Sequence, residues 1–319
     1  MGELILKRIL VTGGAGFIGS HVVDLLSKSD AKVYVMDDFS TGKVENIAHH
    51  SNDKVNVICC DIASDAARKA IKDIKPDGII MLAAQPSVIV SIRDPLLDAS
   101  SNIMGLVHLL ESAREVGCKK VVFASSGGTI YGNVSDESLP VTEEHPLTAC
   151  SFYGLTKLTA LHYLNLYKQL FSIDFAALAL GNVYGPRQSP FGEAGVIGIF
   201  SQKILSNETC TINGDGNITR DYIYVADVAQ AFVSALHQGS GLINISSGVE
   251  KSVKEIYDAI LDISQCQGSV VNGPELAGEV KRIALQNTKA KSELNWEPKV
   301  NFNDGVKSTV DWVRQEYLN

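Results

Sequence analysis

A doubly wound α/β fold, a parallel sheet with a smaller C-terminal substrate-binding lobe, is predicted by three features of this sequence. Short segments that are apolar throughout alternate with amphipathic helical stretches over residues 1–180, the pattern of a parallel sheet covered on both faces. A glycine-rich turn stands between the first strand and the first helix. Beyond residue 180 the alternation gives way to segments punctuated by Gly, Asn, Asp and Pro. A chain of 319 residues suits one large α/β domain or two unequal lobes.

The first strand, Arg8-Ile9-Leu10-Val11, runs into Thr12-Gly13-Gly14-Ala15-Gly16-Phe17-Ile18-Gly19, and a helix follows with Ile18, Val22, Leu25 and Leu26 on one face. Strand, glycine turn and helix open a mononucleotide-binding βαβ unit, which makes the sheet Rossmann-type. Gly13 allows the tight turn, Gly16 lets the backbone approach a pyrophosphate, and Gly19 lets the helix pack close to the sheet. The helix start at Phe17 and Ile18 offers free N–H groups to phosphate. The second strand, Lys32–Met36, ends at Asp37, 18 residues beyond Gly19. An acidic residue there binds both ribose hydroxyls and repels a 2′-phosphate, so the sequence points to NAD rather than NADP. The polar loop from Asp37 to Lys43, with Asp38, Ser40, Thr41 and Gly42, is placed to wrap the adenosine ribose.

The third strand, Val55–Cys60, ends at Asp61-Ile62. Asp61 reads either as an adenine ligand or as the N-cap of a helix whose apolar face is Ala66, Ala67, Ala70 and Ile71. Ile79–Ala84 reads as the fourth strand, and Ala83 and Ala84 at its end leave room for a flat ring. A helical stretch from about Pro95 to Val116 carries Asn102. Strand five, Lys120–Ala124, ends in Ser125-Ser126-Gly127-Gly128-Thr129-Ile130-Tyr131-Gly132. After a loop over 133–150, a helix running from Ser151 to Phe171 puts Tyr153 and Lys157, four apart, on one face. Strand six is Phe175–Leu180. The rest, 181–319, reads as the smaller lobe, with short helices near 195–206, 226–238 and 252–264 and a segment near 221–245 threading back to the dinucleotide-binding domain of 1–180.

Composition excludes several classes. A net charge of −8 without a basic stripe speaks against a nucleic-acid surface. No apolar run approaches the ~20 residues that span a bilayer, and no apolar leader with a cleavage site is expected at the N-terminus. The cysteines at 59, 60, 118, 150, 210 and 266 form no CxxC pair, which points to the reducing cytoplasm. The His49-His50 pair reads as a solvated loop pair, and no metal site is expected.

If Ser126, Tyr153 and Lys157 meet beside NAD, they form a site for oxidising a sugar hydroxyl. A tyrosine phenol would take the hydroxyl proton, although its ordinary pKa of about 10 is too high for that work at neutral pH. An ammonium one helical turn away would lower it, and a serine hydroxyl would fix the geometry. Alone, a Tyr-x-x-x-Lys spacing is commonplace and Ser125-Ser126 is a strand-end turn.

The chain resembles the extended short-chain dehydrogenase/reductases and, among them, the UDP-glucose (UDP-galactose) 4-epimerase family. The resemblance is carried by Thr12–Gly19, Asp37–Lys43, Leu82-Ala83-Ala84-Gln85, Ser125–Gly132, Tyr153-x-x-x-Lys157, Asn182–Gln188 and Gly192–Val196. It continues through Gly214-Asp215-Gly216, Arg220-Asp221-Tyr222, Asn244–Gly248 and Leu294-Asn295-Trp296-Glu297-Pro298. It implies tightly held NAD, a transient 4-keto sugar, Tyr153 as base, Lys157 as its tuner and a ribose ligand, and Ser126 as partner hydroxyl. It also implies cofactor contacts from Leu82, Gln85, Asn102 and Ser125, and a nucleotide-sugar site formed by Ser87, Asn182, Val196, Arg220 and Glu279. Arg220 would meet the diphosphate, since a guanidinium fork binds two phosphate oxygens. Relatives pair as dimers, and the apolar faces of 95–116 and 153–171 would form the corresponding four-helix bundle.

Four departures stand out: the Gly127-Gly128 pair that lengthens the hydroxyl loop, Phe152 for proline, Ala179 for arginine, and Leu276 for an arginine expected at the diphosphate. The longer loop leaves Thr129 as an alternative to Ser126. A 4,6-dehydratase or decarboxylase would want acidic residues where Gly127-Gly128 stand, and a uronate epimerase a second cation near Ser189. An N-acetylated substrate depends on the wall near Ile283. A catalytically silent NAD-binding sensor would need none of Ser126, Tyr153 and Lys157.

Overall fold

The computed structural model describes residues 6–191, 195–274 and 280–318. The first lobe begins β1 (Arg8–Thr12), α1 (Phe17–Leu26), β2 (Lys32–Asp37), β3 (Val55–Cys59), α2 (Asp65–Ile74) and β4 (Gly78–Met81). It continues with α3 (Val88–Arg93), α4 (Pro95–Ala99), a π-helical turn (Ser100–Met104), α5 (Gly105–Val116), β5 (Lys120–Ser126), α6 (Gly127–Ile130), α7 (Phe152–Phe171) and β6 (Asp174–Leu180). Then come β7 (Asn182–Tyr184), α8 (Val196–Leu205), β8 (Thr209–Asn213), β9 (Thr219–Tyr224), α9 (Val225–His237) and β10 (Gly241–Ile245). The last elements are β11 (Glu250–Ser252), α10 (Val253–Ser264), β12 (Ser269–Gly273), α11 (Thr288–Leu294) and α12 (Phe302–Tyr317).

The main sheet has seven strands in the order β10-β6-β5-β4-β1-β2-β3, and each neighbouring pair is parallel. The chain builds outward from β1 in one direction, then crosses over and builds from β4 in the other. The reversal between β1 and β4 opens a crevice at the strands' carboxyl ends. One face is packed by α1 and α9, with Val22, Val23, Phe232 and Trp296 in its core. The other is packed by α2, α5 and α7, with Leu106, Leu109, Leu164 and Phe175. A separate core holds the smaller lobe together through Tyr184, Phe200, Ile256, Ile260 and Val310. There β7 and β11 flank β9, and β12 pairs with β8.

Several sequence expectations are corrected. The fourth strand stops at Met81, because Leu82 and Ala83 both donate to Thr12 O at 3.1 Å and leave the ladder. Strand five runs on to Ser126, in register with Leu180. The helical stretch starts at Val88 and breaks at Asp94, whose side chain caps α4 by accepting from Leu97 N. The N-cap of α2 is Ser64, which accepts from Ala67 N, and Ala66 is exposed. The polar punctuation after residue 245 hid two helices, α11 and α12. Each buries a narrow apolar stripe, Ala290 and Leu294 in one, Val306, Val310 and Val313 in the other. Trp296, which follows α11, is 3% exposed and donates from Nε1 to Asp227 O at 2.8 Å, pinning this segment to α9.

Candidate active site

The turn after β1 is shaped by what it must avoid. Gly13 has φ +68°, and a Cβ there would stand 2.7 Å from Ala83 N on the far side of the crevice. A Cβ on Gly19 would lie 2.0 Å from Gly13 O, so α1 approaches the turn closer than any side chain allows. Gly16 caps α1 without a side chain, and the first turn, opened by Phe17 and Ile18, carries no acidic residue. Its N–H groups and positive dipole end therefore face the crevice free to receive an anion.

Asp37, 6% exposed at the end of β2, accepts from Ala15 N and from Phe39 N, both at 2.9 Å. Each carboxylate oxygen keeps a further lone pair for a hydroxyl, and the charge opposes a phosphate. Asp38 binds back to Ser40, accepting from its N at 2.9 Å and its Oγ at 2.6 Å, while Thr41 is exposed and Gly42 packs against the Asp37 carboxylate. The sequence reading missed Asn46, whose Nδ2 donates to Ala15 O at 2.8 Å and ties this loop to the glycine turn. Asp61 is exposed and accepts from Ala63 N, and the side chain of Ile62 lies in the core against Gly105. Leu82, Ala83 and Ala84 are half-buried at the mouth of β4. Ser125 is 3% exposed, and its Oγ has no hydrogen-bond partner among the described residues. An uncapped helix start, a buried acidic residue at the next strand's end and an orphaned hydroxyl on the crevice floor fit a dinucleotide.

The three candidate side chains come together at the carboxyl end of β5. The extra glycine of the hydroxyl loop is absorbed by α6, a single turn in which Thr129 Oγ1 donates to Ser126 O at 3.3 Å. Ser126 bears on the Tyr153 phenol as a side-chain hydrogen-bond partner. Ser151 caps α7 by accepting from Gly154 N at 3.0 Å, which sets Tyr153 and Lys157 on its first turns. Lys157 is 3% exposed, donates to Ala124 O at 3.0 Å, and lies 5.5 Å from the Tyr153 ring centroid. Burial lowers its ammonium to about 8, with the charge of Asp98 opposing the shift. The expected lowering of the phenol is not what the structure shows. Burial pushes Tyr153 up to about 12, the Ser126 hydrogen bond pulls it down and Asp98 raises it.

Gln85 and Asn102 sit in a polar network behind this pair. Asn102, on the π-helical turn, accepts from Gln85 N at 2.9 Å and donates to Gln85 O at 3.1 Å and Asp98 Oδ1 at 3.0 Å, so its amide braces the loop after β4. The hydroxyl of Ser87 caps α3, accepting from Val90 N at 2.9 Å. Asn182 is exposed at the start of β7, Val196 is half-buried at the start of α8, and Arg220 on β9 donates to Thr219 O at 2.8 Å. Glu279, Leu276 and Gly192 lie outside the described residues. Ile283 is 2% exposed and belongs to the core.

The two histidines are not a free loop pair. His49 Nε2 and His50 Nε2 both bond Asp24 Oδ1 at 2.9 Å, and Arg187 Nη1 lies 2.8 Å from Asp24 Oδ2. Their nitrogens are close enough to share an ion, but the guanidinium already supplies the positive charge, so the cluster is a bracket between α1, the loop after β2 and the loop after β7.

Comparison with known proteins bears on this geometry. The family model described as GDP-mannose 4,6 dehydratase matches residues 10–309. A UDP-glucose 4-epimerase of Mycolicibacterium smegmatis is 41% identical over 312 residues, covering 97% of this chain and 99% of that protein. The UDP-glucose 4-epimerase of Thermotoga maritima, solved with UDP-glucose, superposes with a TM-score of 0.92 at 40% identity, covering 97% of this chain and 99% of the other. That of Thermus thermophilus, solved with NAD, gives 0.91 at 38% identity and the same coverage.

Proposed function

Since the chain belongs to the extended short-chain dehydrogenase/reductases and, among them, to the UDP-glucose 4-epimerase family, we propose that it is an NAD-dependent isomerase that inverts a nucleotide sugar at C4, interconverting UDP-glucose and UDP-galactose. The observation that carries this is the meeting of Ser126, Tyr153 and Lys157 at the end of β5, with β4 alone between that strand and the one that leads into the glycine turn.

The glycine turn, Asp37 and the Leu82–Gln85 loop would hold NAD, with Ser125 and Lys157 toward its nicotinamide end. Bound NAD supplies a hydride acceptor, which lets the sugar pass through a transient 4-keto form. Tyr153 Oη would take the proton of the 4-hydroxyl and later return it to the same oxygen, once the turned keto sugar has taken hydride back on the opposite face of C4. Ser126 Oγ holds that phenol in line, and the Lys157 ammonium stabilises its anion. Ser87, Asn182, Val196, Arg220 and Glu279 would contact the nucleotide sugar in the smaller lobe, the Arg220 fork facing the diphosphate. Residues 1–180, with 221–245 threading back to them, would form the dinucleotide half of this division, and 181–319 mainly the sugar half.

Purified protein incubated with UDP-galactose is expected to yield UDP-glucose and to release NAD on denaturation. A panel including UDP-N-acetylglucosamine and UDP-glucuronate fixes the sugar. NAD release without turnover of any of these would overturn the reading in favour of a sensor.

The surface supports a homodimer as part of this reading. Leu155, Leu166 and Leu170 form an exposed stripe on α7, half-exposed to 68% exposed, and Leu96 and Met104 stand open on the neighbouring helices at 82% and 50%. Apolar faces of this extent mark a partner surface, and a second copy pairing α5 and α7 would cover them as a four-helix bundle. Sedimentation is expected to give twice 34.3 kDa, and a species at 34.3 kDa would contradict it. No helix among the described residues is long and apolar enough to cross a membrane, and the six cysteines are unpaired, which supports a cytoplasmic place.

A further inference from the structure

Behind the reactive pair lies a carboxylate that the reaction outlined above leaves unused. Asp98, on α4, has 0% exposure. Its hydrogen-bond donors are Gln85 Nε2 at 2.8 Å, Asn102 Nδ2 at 3.0 Å and Thr156 Oγ1 at 3.1 Å, and all three are neutral. These donors satisfy its oxygens but bring no opposite charge. Two titratable groups respond to it from α7, Tyr153 and Lys157. Arg93 and Asp94 at the junction of α3 and α4, and His108 on α5, are exposed, while β5 presents the neutral Ser125 and Ser126. The Thr156 hydroxyl also lies 2.8 Å from Tyr153 O, so one proton is shared between Asp98 and the backbone of the tyrosine itself.

We infer that Asp98 is a positioning residue for this pair: through Thr156, Gln85 and Asn102 it fixes the first turns of α7 against the loop after β4, and it stands as the buried acidic group behind Lys157. The inference rests on Tyr153 and Lys157 being the catalytic pair. Its geometry stands apart from substrate choice, because no donor to Asp98 comes from the smaller lobe. At neutral pH Lys157 is charged, and it becomes neutral as the pH rises past about 8. Removing the neighbouring negative charge lowers that midpoint further, so the loss of activity on the alkaline side moves toward neutrality.

The test uses full-length protein carrying ε-15N-lysine, with the Lys157 signal assigned by Lys157→Met. In Asp98→Asn the Lys157 midpoint is expected to fall by about one pH unit or more. Turnover of UDP-galactose should then drop about tenfold at pH 8 but less than about threefold at pH 6, with KM within about threefold. Thr156→Val, which removes the shared hydroxyl and keeps the charge, is expected to lower turnover at every pH with the midpoint unmoved. An unchanged midpoint in Asp98→Asn, or an equal loss at both pH values, overturns the electrostatic role. Wild-type turnover in Thr156→Val overturns the positioning role, and that variant decides the matter if Asp98→Asn does not fold. If the wild type converts no nucleotide sugar while the Asp98→Asn midpoint still falls, the epimerase reading fails and the coupling of Asp98 to Lys157 stands.

Discussion

Replacing Tyr153 by Phe is expected to cut turnover by about two to four orders of magnitude while NAD remains bound, because the change removes the group that handles the proton and nothing that holds the dinucleotide. The phenylalanine ring keeps the packing of the first turn of α7, whose cap at Ser151 and hydroxyl at Thr156 are untouched. No other described side chain is placed to substitute. The Thr129 hydroxyl is committed to Ser126 O, and Lys157 Nζ to Ala124 O. A coupled assay of UDP-galactose conversion, run beside measurement of NAD released by denaturation, separates chemistry from binding. Near-normal turnover in this variant would remove Tyr153 from the reaction. Burial holds the phenol up at about 12. As a base it would need positive charge to favour its anion, which the neighbouring Lys157 and the cationic ring of a bound NAD would supply.

Gly19→Ala is expected to abolish retention of NAD and to destabilise the fold by about 1–3 kcal/mol, the usual effect of forcing a methyl into filled space. The new Cβ would meet Gly13 O at 2.0 Å and the Gly14 Cα at 2.8 Å, all backbone, so no side chain can swing aside. The turn cannot yield toward the crevice either, since Ala83 N already crowds Gly13 there. Gly198→Ala is the matched control. It lies in α8, and its Cβ would find nothing closer than 3.6 Å, so it should be neutral or slightly stabilising. Both variants are compared by thermal melting and by NAD content after purification. A Gly19→Ala protein that melts with the wild type and carries a full complement of NAD would refute the reading of the turn.

The first six strands and the glycine turn were legible because buried parallel strands are apolar throughout and their turns carry glycine or acidic punctuation. The reactive residues were legible only through their spacing and the resemblance. Tyr153 and Lys157 share a helical face by arithmetic, whereas the choice of Ser126 over Thr129 depends on how α6 absorbs an extra residue, which no local pattern states. Asp98 and Thr156 were missed for a different reason. Asp98 is four residues before Asn102, a polar pair on one helical face, but helix caps and solvated faces produce the same spacing. What marks it is burial supplied by α7, more than fifty residues further along the chain. The helices α11 and α12 went unread because each buries only a few residues, against partners far away in the chain.

The edge strand β10 carries a consequence for how this protein is made. It closes the main sheet beside β6 only after the chain has traversed β7 to α9, and Trp296 locks α9 later still. A ribosome that has released the first 180 residues has therefore delivered a sheet whose β6 flank is bare, with unpaired amides along Asp174–Leu180. Until residues 181–245 emerge, that flank can recruit a strand from a neighbouring nascent chain, so the molecule's exposure to aggregation and its call on chaperones are set by the time taken to translate that segment.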